Sequence, residues 1–260
     1  MKNSALKIAA GMAVVSAFTV SSAHATIMYS VSGPNPGDAE AAEQSFFDNM
    51  VQEGSAVTEN FEDRDEFQAG TQQDSFDTDV GTFTGIEPGF ESDTSGSEGA
   101  CNDDGFSCDG GLAVLDDDTS PFDGRFAVPD EEGNNNWLDS MDYNEVRFDL
   151  IEGFNAVGFY MTDPNDQGGL MDISLSDGSS ETIEIDDIFG GSQDNEDAFY
   201  LSFWSENDID SMTFIANNQN DGYGIDNVSV ARVPEPGMLA LLGVGLVGLA
   251  FVARRRQRLD

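Results

Sequence analysis

The sequence predicts a mainly β protein, an antiparallel β-sandwich of the jelly-roll kind with one short amphipathic helix near its start. In the second half of the chain, apolar segments of strand length recur every ~10 to 14 residues, with turn residues between them. Residues 154–161 form a continuous apolar run, which is typical of a strand that is buried on both faces. No helical pattern separates these segments, which favours antiparallel sheets over alternating strands and helices.

The first half of the body contains the helix and several short strands. Residues 26–31 predict a strand, which a turn cluster at 33–37 follows. Asp38 stands at the N-cap position, and residues 39–51 predict a helix whose apolar stripe packs on the sandwich. That stripe consists of Phe46, Phe47, Met50 and Val51. The further strands predicted here are 57–61, 76–84, 112–115, 124–128 and 137–138.

The second half shows the clearer strand pattern. The strands predicted there are 145–151, 154–161, 170–175, 182–185, 199–204, 209–216 and 223–231. The first of them alternates, with Val146, Phe148 and Leu150 on one face. Asp177-Gly178 lies between the third and the fourth, which indicates a hairpin.

The N-terminus has the features of a secretory signal peptide. A basic start precedes a mostly apolar run at 8–20 and a small-x-small cleavage site at Ala23-His24-Ala25. We therefore divide the chain into a signal peptide at 1–25, an acidic β-sandwich domain at 26–232 and a C-terminal tail at 233–260.

The tail has three parts. It consists of Val233-Pro234-Glu235-Pro236, an uncharged run of 17 residues at 237–253, and the cluster Arg254-Arg255-Arg256. A run of this length is about the lower limit for a transmembrane helix. Arginine clusters stay on the cytoplasmic side of such a helix, so we expect the body to lie outside.

This layout resembles the PEP-CTERM sorting signal, in which a Pro-Glu-Pro box precedes one hydrophobic helix and a short basic end. The resemblance implies an exported protein that an exosortase, a membrane transpeptidase-like enzyme, processes near Pro234–Pro236. The inner membrane would then hold the chain only transiently, and the product would be at the cell surface or extracellular. An ordinary C-terminal membrane anchor is the alternative interpretation.

The body is strongly acidic. Between Thr26 and Val233, 48 acidic residues stand against four arginines, a formal charge of −44, and lysine is absent. Self-repulsion of this size opposes compaction unless cations screen or bind the carboxylates. Adaptation to a salt-rich exterior and specific Ca²⁺ binding are the two explanations, and the lack of lysine favours the first as the larger effect. Nucleic acid and anionic membrane surfaces are excluded as partners, because phosphate contacts require basic patches.

Two cysteines, Cys101 and Cys108, lie in a stretch at 91–111 that is rich in Ser, Gly, Asp and Asn. In an exported protein, a disulfide between them is the default expectation. Thiolate metal binding would need more soft ligands than two cysteines supply.

Two short motifs lie at the two ends of the predicted sandwich. They are Glu59-Asn60-Phe61-Glu62-Asp63 and Gly224-Ile225-Asp226-Asn227-Val228-Ser229-Val230. Together they resemble the jelly-roll carbohydrate-binding and related extracellular modules, in which an early acid and an aspartate of the last strand hold a structural calcium. That resemblance implies Glu62 and Asp226 as calcium ligands. It also implies exposed aromatic side chains for sugar stacking, with Trp137, Trp204, Tyr160 and Tyr200 as the candidates.

Strand parity gives a physical reason to examine Asp226. In a regular strand, Asp226 shares one face with Val228 and Val230. A carboxylate on an apolar face is costly to bury bare, so a cation or a set of backbone N–H groups must satisfy it. A hydrated position at the strand end is the remaining alternative.

The sequence offers little for catalysis. Signal-peptide removal takes away the only histidine, His24, which excludes Ser-His-Asp and Cys-His machinery and histidine-ligated zinc. A glycoside hydrolase needs only two carboxylates, but nothing selects a pair, and we expect no enzymatic activity. Two functions remain: a structural or adhesive protein of the surface or matrix that associates with exopolysaccharide, and a carbohydrate-binding module with a defined glycan ligand.

We expect the exported protein to begin at Thr26, because signal peptidase cuts after a small-x-small site and Ala25 ends that site. N-terminal sequencing of the exported protein checks this expectation. An exported chain that still carries Met1 contradicts it.

Overall fold

Two antiparallel sheets make up the body of the protein. The computed structural model describes residues 26–62, 72–88, 112–116, 124–129, 133, 135–141, 143–164, 169–189, 194, 196–216 and 222–234. Within these ranges the elements in chain order are β1 (Met28–Val31), α1 (Pro36–Asn49), β2 (Val57–Glu59), β3 (Gln72–Gln73), β4 (Ser75–Thr78), β5 (Gly81–Pro88), β6 (Leu112–Asp116), β7 (Asn136–Asp139), β8 (Tyr143–Leu150), β9 (Ala156–Thr162), β10 (Leu170–Leu175), β11 (Ser180–Glu184), α2 (Ile185–Phe189), β12 (Ala198–Trp204), β13 (Ile209–Ile215) and β14 (Gly224–Ala231).

The first sheet has the strand order β1-β12-β9-β14-β7-β6-β3, and β2 pairs with β14 beside this path. The second sheet has the order β11-β10-β13-β8-β5-β4. Neighbouring strands are antiparallel in both sheets. From β7 to β10 the chain crosses to the other sheet at every step. The mainly β, antiparallel sandwich that the sequence predicts is confirmed.

The main core lies between the two sheets and is rich in phenylalanine. Phe159 of the first sheet packs edge-on against Phe214 of the second, with ring centroids 5.8 Å apart. Phe83 and Phe148 stack within the second sheet at 4.2 Å. Full burial of each such ring contributes about 1.5–3 kcal/mol, so these rings supply much of the energy that joins the sheets.

Helix α1 packs on the outer face of the first sheet, over β9 and β12. Phe46 is buried there with its ring 6.0 Å from that of Tyr200, and the rest of the predicted apolar stripe packs around it. Gly158 makes room for this arrangement, because a Cβ at that position would lie 2.2 Å from the Tyr200 hydroxyl. Since this sheet is covered on both faces, all seven residues of β9 are buried, as its continuous apolar run predicts.

A segment of irregular backbone, residues 124–129, lies over β6 and β7 on the same outer face, and we call it the cover segment. Ala127 packs with Trp137 and Leu115, and Val128 packs with the cluster beneath α1. The strand predicted at 124–128 is therefore wrong. The N–H of Val128 bonds to a side-chain carboxylate, that of Asp226, instead of to a neighbouring strand.

Three local elements differ from the prediction. The N-cap of α1 is Asn35, not Asp38, because Pro36 occupies the first helical turn, where its missing N–H costs nothing. The run at 76–84 is two strands, β4 and β5, which pair as a hairpin. The strand predicted at 182–185 gives way at Ile185 to α2, where Ile185 and Ile188 are buried three residues apart.

The register of the first sheet brings the two ends of the body together. Met28 lies opposite Trp204, Trp204 lies opposite Ala156, and Ala156 lies opposite Ala231. Four neighbouring strands thus place the start of β1 and the end of β14 in one row, about 14 Å apart at ~4.8 Å per strand.

Candidate functional site

Three residues, Arg232, Val233 and Pro234, connect the body to the tail, and we call them the tail junction. Strand β14 ends at Ala231, and its carbonyl accepts the N–H of Asn155 at 3.2 Å. Pro234 is exposed and is the last residue that the structure describes. The start of the predicted sorting signal is therefore part of the folded body.

Asn155 holds the tail junction through its side-chain amide. The amide oxygen accepts the N–H of Val233 at 2.8 Å, and the amide nitrogen donates to the Val233 carbonyl at 3.0 Å. The same nitrogen donates to the carbonyl of Ser205 at 2.9 Å, which fixes the amide orientation. Asn155 is buried. Its side chain therefore pairs with Val233 much as a neighbouring strand would.

The segment that follows α1 holds the residue before. The N–H of Gln52 donates to the Arg232 carbonyl at 2.8 Å, and the Arg232 N–H donates to the Ser55 hydroxyl at 3.2 Å. The Arg232 guanidinium lies 3.6 Å from Asp208, but both side chains are substantially exposed, so this ion pair adds little. Backbone contacts, rather than charge, fix Arg232.

An open acidic cavity of about 520 Å³ lies beside the tail junction. Its lining residues are Glu152, Gly153, Ser176, Asp208 and Asp210. No group of three or more acidic, histidine or cysteine side chains converges as a metal site anywhere in the described part of the chain. The cavity is thus an acidic surface feature at the exit of the tail.

The two predicted calcium ligands both accept backbone N–H groups. One oxygen of Glu62 accepts the N–H groups of Asn135 and Asn136, each at 2.6 Å. Asp226 is 1 % exposed, and its two oxygens accept the N–H groups of Val128 at 2.9 Å and Asn227 at 2.6 Å. For Asp226, the hydrated strand end is therefore wrong, and backbone donors satisfy the carboxylate.

The predicted shared face of Asp226, Val228 and Val230 is also wrong. Asp226 lies opposite Tyr160, but Ser229 lies opposite Gly158, so β14 contains one extra residue between them. Asn227 absorbs that bulge with a left-handed φ of 45°. The bulge reverses the alternation, and Asp226 points to the outer face under the cover segment, while the two valines enter the core between the sheets.

A buried ion pair under the cover segment escaped sequence reasoning. The Arg125 guanidinium lies 3.1 Å from Asp139 and 3.4 Å from Asp163, and all three side chains are buried. Asp139 also accepts the indole N–H of Trp137 at 3.2 Å and the N–H of Met141 at 2.7 Å. Burial raises the pKa of Asp139, and Arg125 and the N–H donors oppose that rise. The sequence offered one signal for this ion pair: the body has only four arginines among 48 acids, so each arginine is a candidate for a specific ion pair.

The four aromatic side chains that were candidates for sugar stacking differ in burial. Trp137, Tyr160 and Tyr200 are almost completely buried, which leaves their rings no face for a sugar. Tyr160 donates its hydroxyl to Glu43 of α1 at 2.7 Å. Trp204 is only partly buried, against the cluster beneath α1.

Several predicted features lie outside the described residues. They are Cys101 and Cys108 with their disulfide, Glu235 and Pro236, the helix at 237–253, and Arg254, Arg255 and Arg256. In the described ranges, no helix is both long enough and apolar enough to span a membrane.

Comparison with known families identifies the tail. Residues 232–256 match the family model of the PEP-CTERM protein-sorting motif. The chain therefore carries this motif, which indicates an exported protein that an exosortase sorts to the cell surface or beyond. Comparison with curated proteins and with solved structures found no match.

Removal of Arg125 should strongly destabilise the body. Arg125→Met leaves Asp139 and Asp163 buried without their cation, which costs about 3–5 kcal/mol of unfolding free energy. Urea unfolding at fixed ionic strength measures the loss. Arg147→Met is the matched control, because it removes the same charge from a half-exposed pair with Asp149 and should cost below about 1 kcal/mol. Equal losses in the two variants would show that net charge, not burial, controls stability.

Calcium binding at Glu62 and Asp226 stays a prediction. If it occurs, millimolar Ca²⁺ at fixed high ionic strength raises the Tm more than the same concentration of Mg²⁺. The reason is that Ca²⁺ tolerates an irregular shell of oxygen ligands, whereas Mg²⁺ requires a nearly octahedral one. Asp226→Asn should then remove the calcium-specific gain. Equal gains with the two ions mean that these carboxylates serve only their backbone donors.

Proposed function

We propose that this protein is a structural or adhesive component of the cell surface or extracellular matrix that associates with exopolysaccharide. The tail at 237–253 anchors the chain in the inner membrane until an exosortase processes it near Pro234–Pro236. The observation that carries the proposal is the sorting motif at 232–256, which starts directly after the last strand of the body.

The charge of the body supports an extracellular role among glycans. A formal charge of −44 repels nucleic acid and anionic surfaces and leaves neutral or cation-bridged polysaccharide as the compatible polymer. Such a charge also keeps free copies of the body apart and strongly hydrated. Association through many weak contacts, as in a matrix, fits this surface better than one tight partner.

The alternative is a carbohydrate-binding module with a defined glycan. Its support is weaker, since Trp204 alone of the four candidate rings is partly exposed in the described part of the chain. A glycan array probed with the fragment 26–233 separates the two functions. Discrete binding that Trp204→Ala abolishes supports the module, and no discrete binding supports the structural role.

The Pro-Glu-Pro box should be essential for release of the body. Replacement of Pro234 and Pro236 with alanine removes the rigid, extended backbone that proline imposes, so the tail should stay attached and the protein should stay in the inner membrane. Intact mass and membrane fractionation measure both effects. The double exchange of Pro34 and Pro36 to alanine, just before α1 and at its first residue, serves as the control and should leave processing unchanged. Wild-type protein that keeps its C-terminus through Asp260 would identify an ordinary anchor instead.

A further inference from the structure

The sorting motif and the folded body share two residues. The match to the motif begins at Arg232, whereas the body holds the chain through Val233. Pro234 follows directly and is exposed. The folded body thus holds Arg232 and Val233, the first two residues of its own sorting motif, in place.

Asn155 binds the backbone N–H and carbonyl of Val233, the same groups that a processing enzyme would bind. Enzymes and receptors that read an extended peptide do so largely through main-chain hydrogen bonds. A backbone N–H can make one good hydrogen bond, and that of Val233 already donates to Asn155 at 2.8 Å. Asn155 and an enzyme that binds Val233 therefore compete for the same atom.

The short reach of the chain strengthens this competition. From Val233 to Glu235 the chain spans two residues, at most about 7 Å. An active-site cleft that encloses the Pro-Glu-Pro box must therefore approach the body where Glu152 and Asp208 line the neighbouring cavity. Detachment of Arg232 and Val233 adds about the same length again and moves the box away from that surface.

We propose, on the basis of the exosortase processing proposed above, that the tail junction must detach from Asn155 and Ser55 before the exosortase can process the chain. Asn155 is the principal positioning residue, because it makes two hydrogen bonds to Val233 and one to Ser205. Release of the junction then limits the rate of processing of a folded body.

The test is a pulse-chase measurement of tail removal in cells that contain an exosortase, with intact mass as the readout. Asn155→Ala should shorten the half-life of the unprocessed chain about tenfold, the factor that corresponds to two hydrogen bonds of ordinary net strength. Insertion of Gly-Ser-Gly-Ser-Arg-Val between Val233 and Pro234 should accelerate processing at least as much. The insertion leaves every contact of the body intact and supplies a free copy of Arg-Val before the box.

The accelerations of tail removal by the insertion and by Asn155→Ala should not be additive, because both changes act on the same step, release of the tail junction. Hydrogen exchange of the Val233 amide in the purified body should be faster in Asn155→Ala than in the wild-type protein. Ser140→Ala is the matched control, since Ser140 is equally buried and accepts the N–H of Tyr223 at the opposite end of β14. It should leave both the processing rate and the exchange of Val233 unchanged.

Wild-type processing rates in the insertion variant would overturn the proposal, and so would equal acceleration in Ser140→Ala. These outcomes differ from a failure of the proposed function. If tail removal occurs only with the exosortase and stops in the Pro234→Ala, Pro236→Ala chain, the proposed processing stands whatever the result with Asn155→Ala and with the insertion variant. If wild-type chains keep their tails in these cells, the proposed processing is wrong and the role of Asn155 falls with it.

Discussion

Hydrogen bonds from backbone N–H groups to carboxylates recur through this protein, and the placement of its turns and of the cover segment depends on them. The body has four arginines for 48 acids, so most of its carboxylates cannot pair with an arginine. Glu59 accepts the N–H of Phe61, Glu62 those of Asn135 and Asn136, and Asp226 those of Val128 and Asn227. The bond from Val128 fixes the cover segment to β14, and the bonds from Asn135 and Asn136 fix the start of β7 to the turn at Glu62. Hydrogen bonds from backbone N–H groups offset part of the cost of removing these carboxylates from water.

The first sheet shows how this chemistry serves the fold. Its outer face is covered in part by α1, mainly through apolar contacts, and in part by the cover segment, which combines apolar packing with a hydrogen bond and an ion pair. Arg125 and Asp226 attach the cover segment from opposite ends, one through an ion pair with Asp139 and the other through the N–H of Val128. The second sheet keeps an alternating pattern, as in β10, because one of its faces meets water.

The parts of the fold that the sequence predicted are those that depend on local periodicity. The continuous run of β9 and the alternation of β8 predicted their burial, and the apolar stripe of α1 predicted its packing. The face of Asp226 could not be predicted, since one left-handed residue, Asn227, reverses the parity of β14. The sorting tail stood out because its composition differs so sharply from an acidic body. The role of Asn155 was invisible, because it contacts Val233 from 78 residues away through a register that only the folded sheets define.

The row that joins Met28, Trp204, Ala156 and Ala231 has a topological consequence for export. The chain enters and leaves the sandwich at the same end, so the predicted signal peptide and the proposed C-terminal anchor can both reach one bilayer without either segment passing around the body. In that arrangement, the end of the sandwich that carries the acidic cavity is nearest the bilayer, and the opposite end is farthest from it.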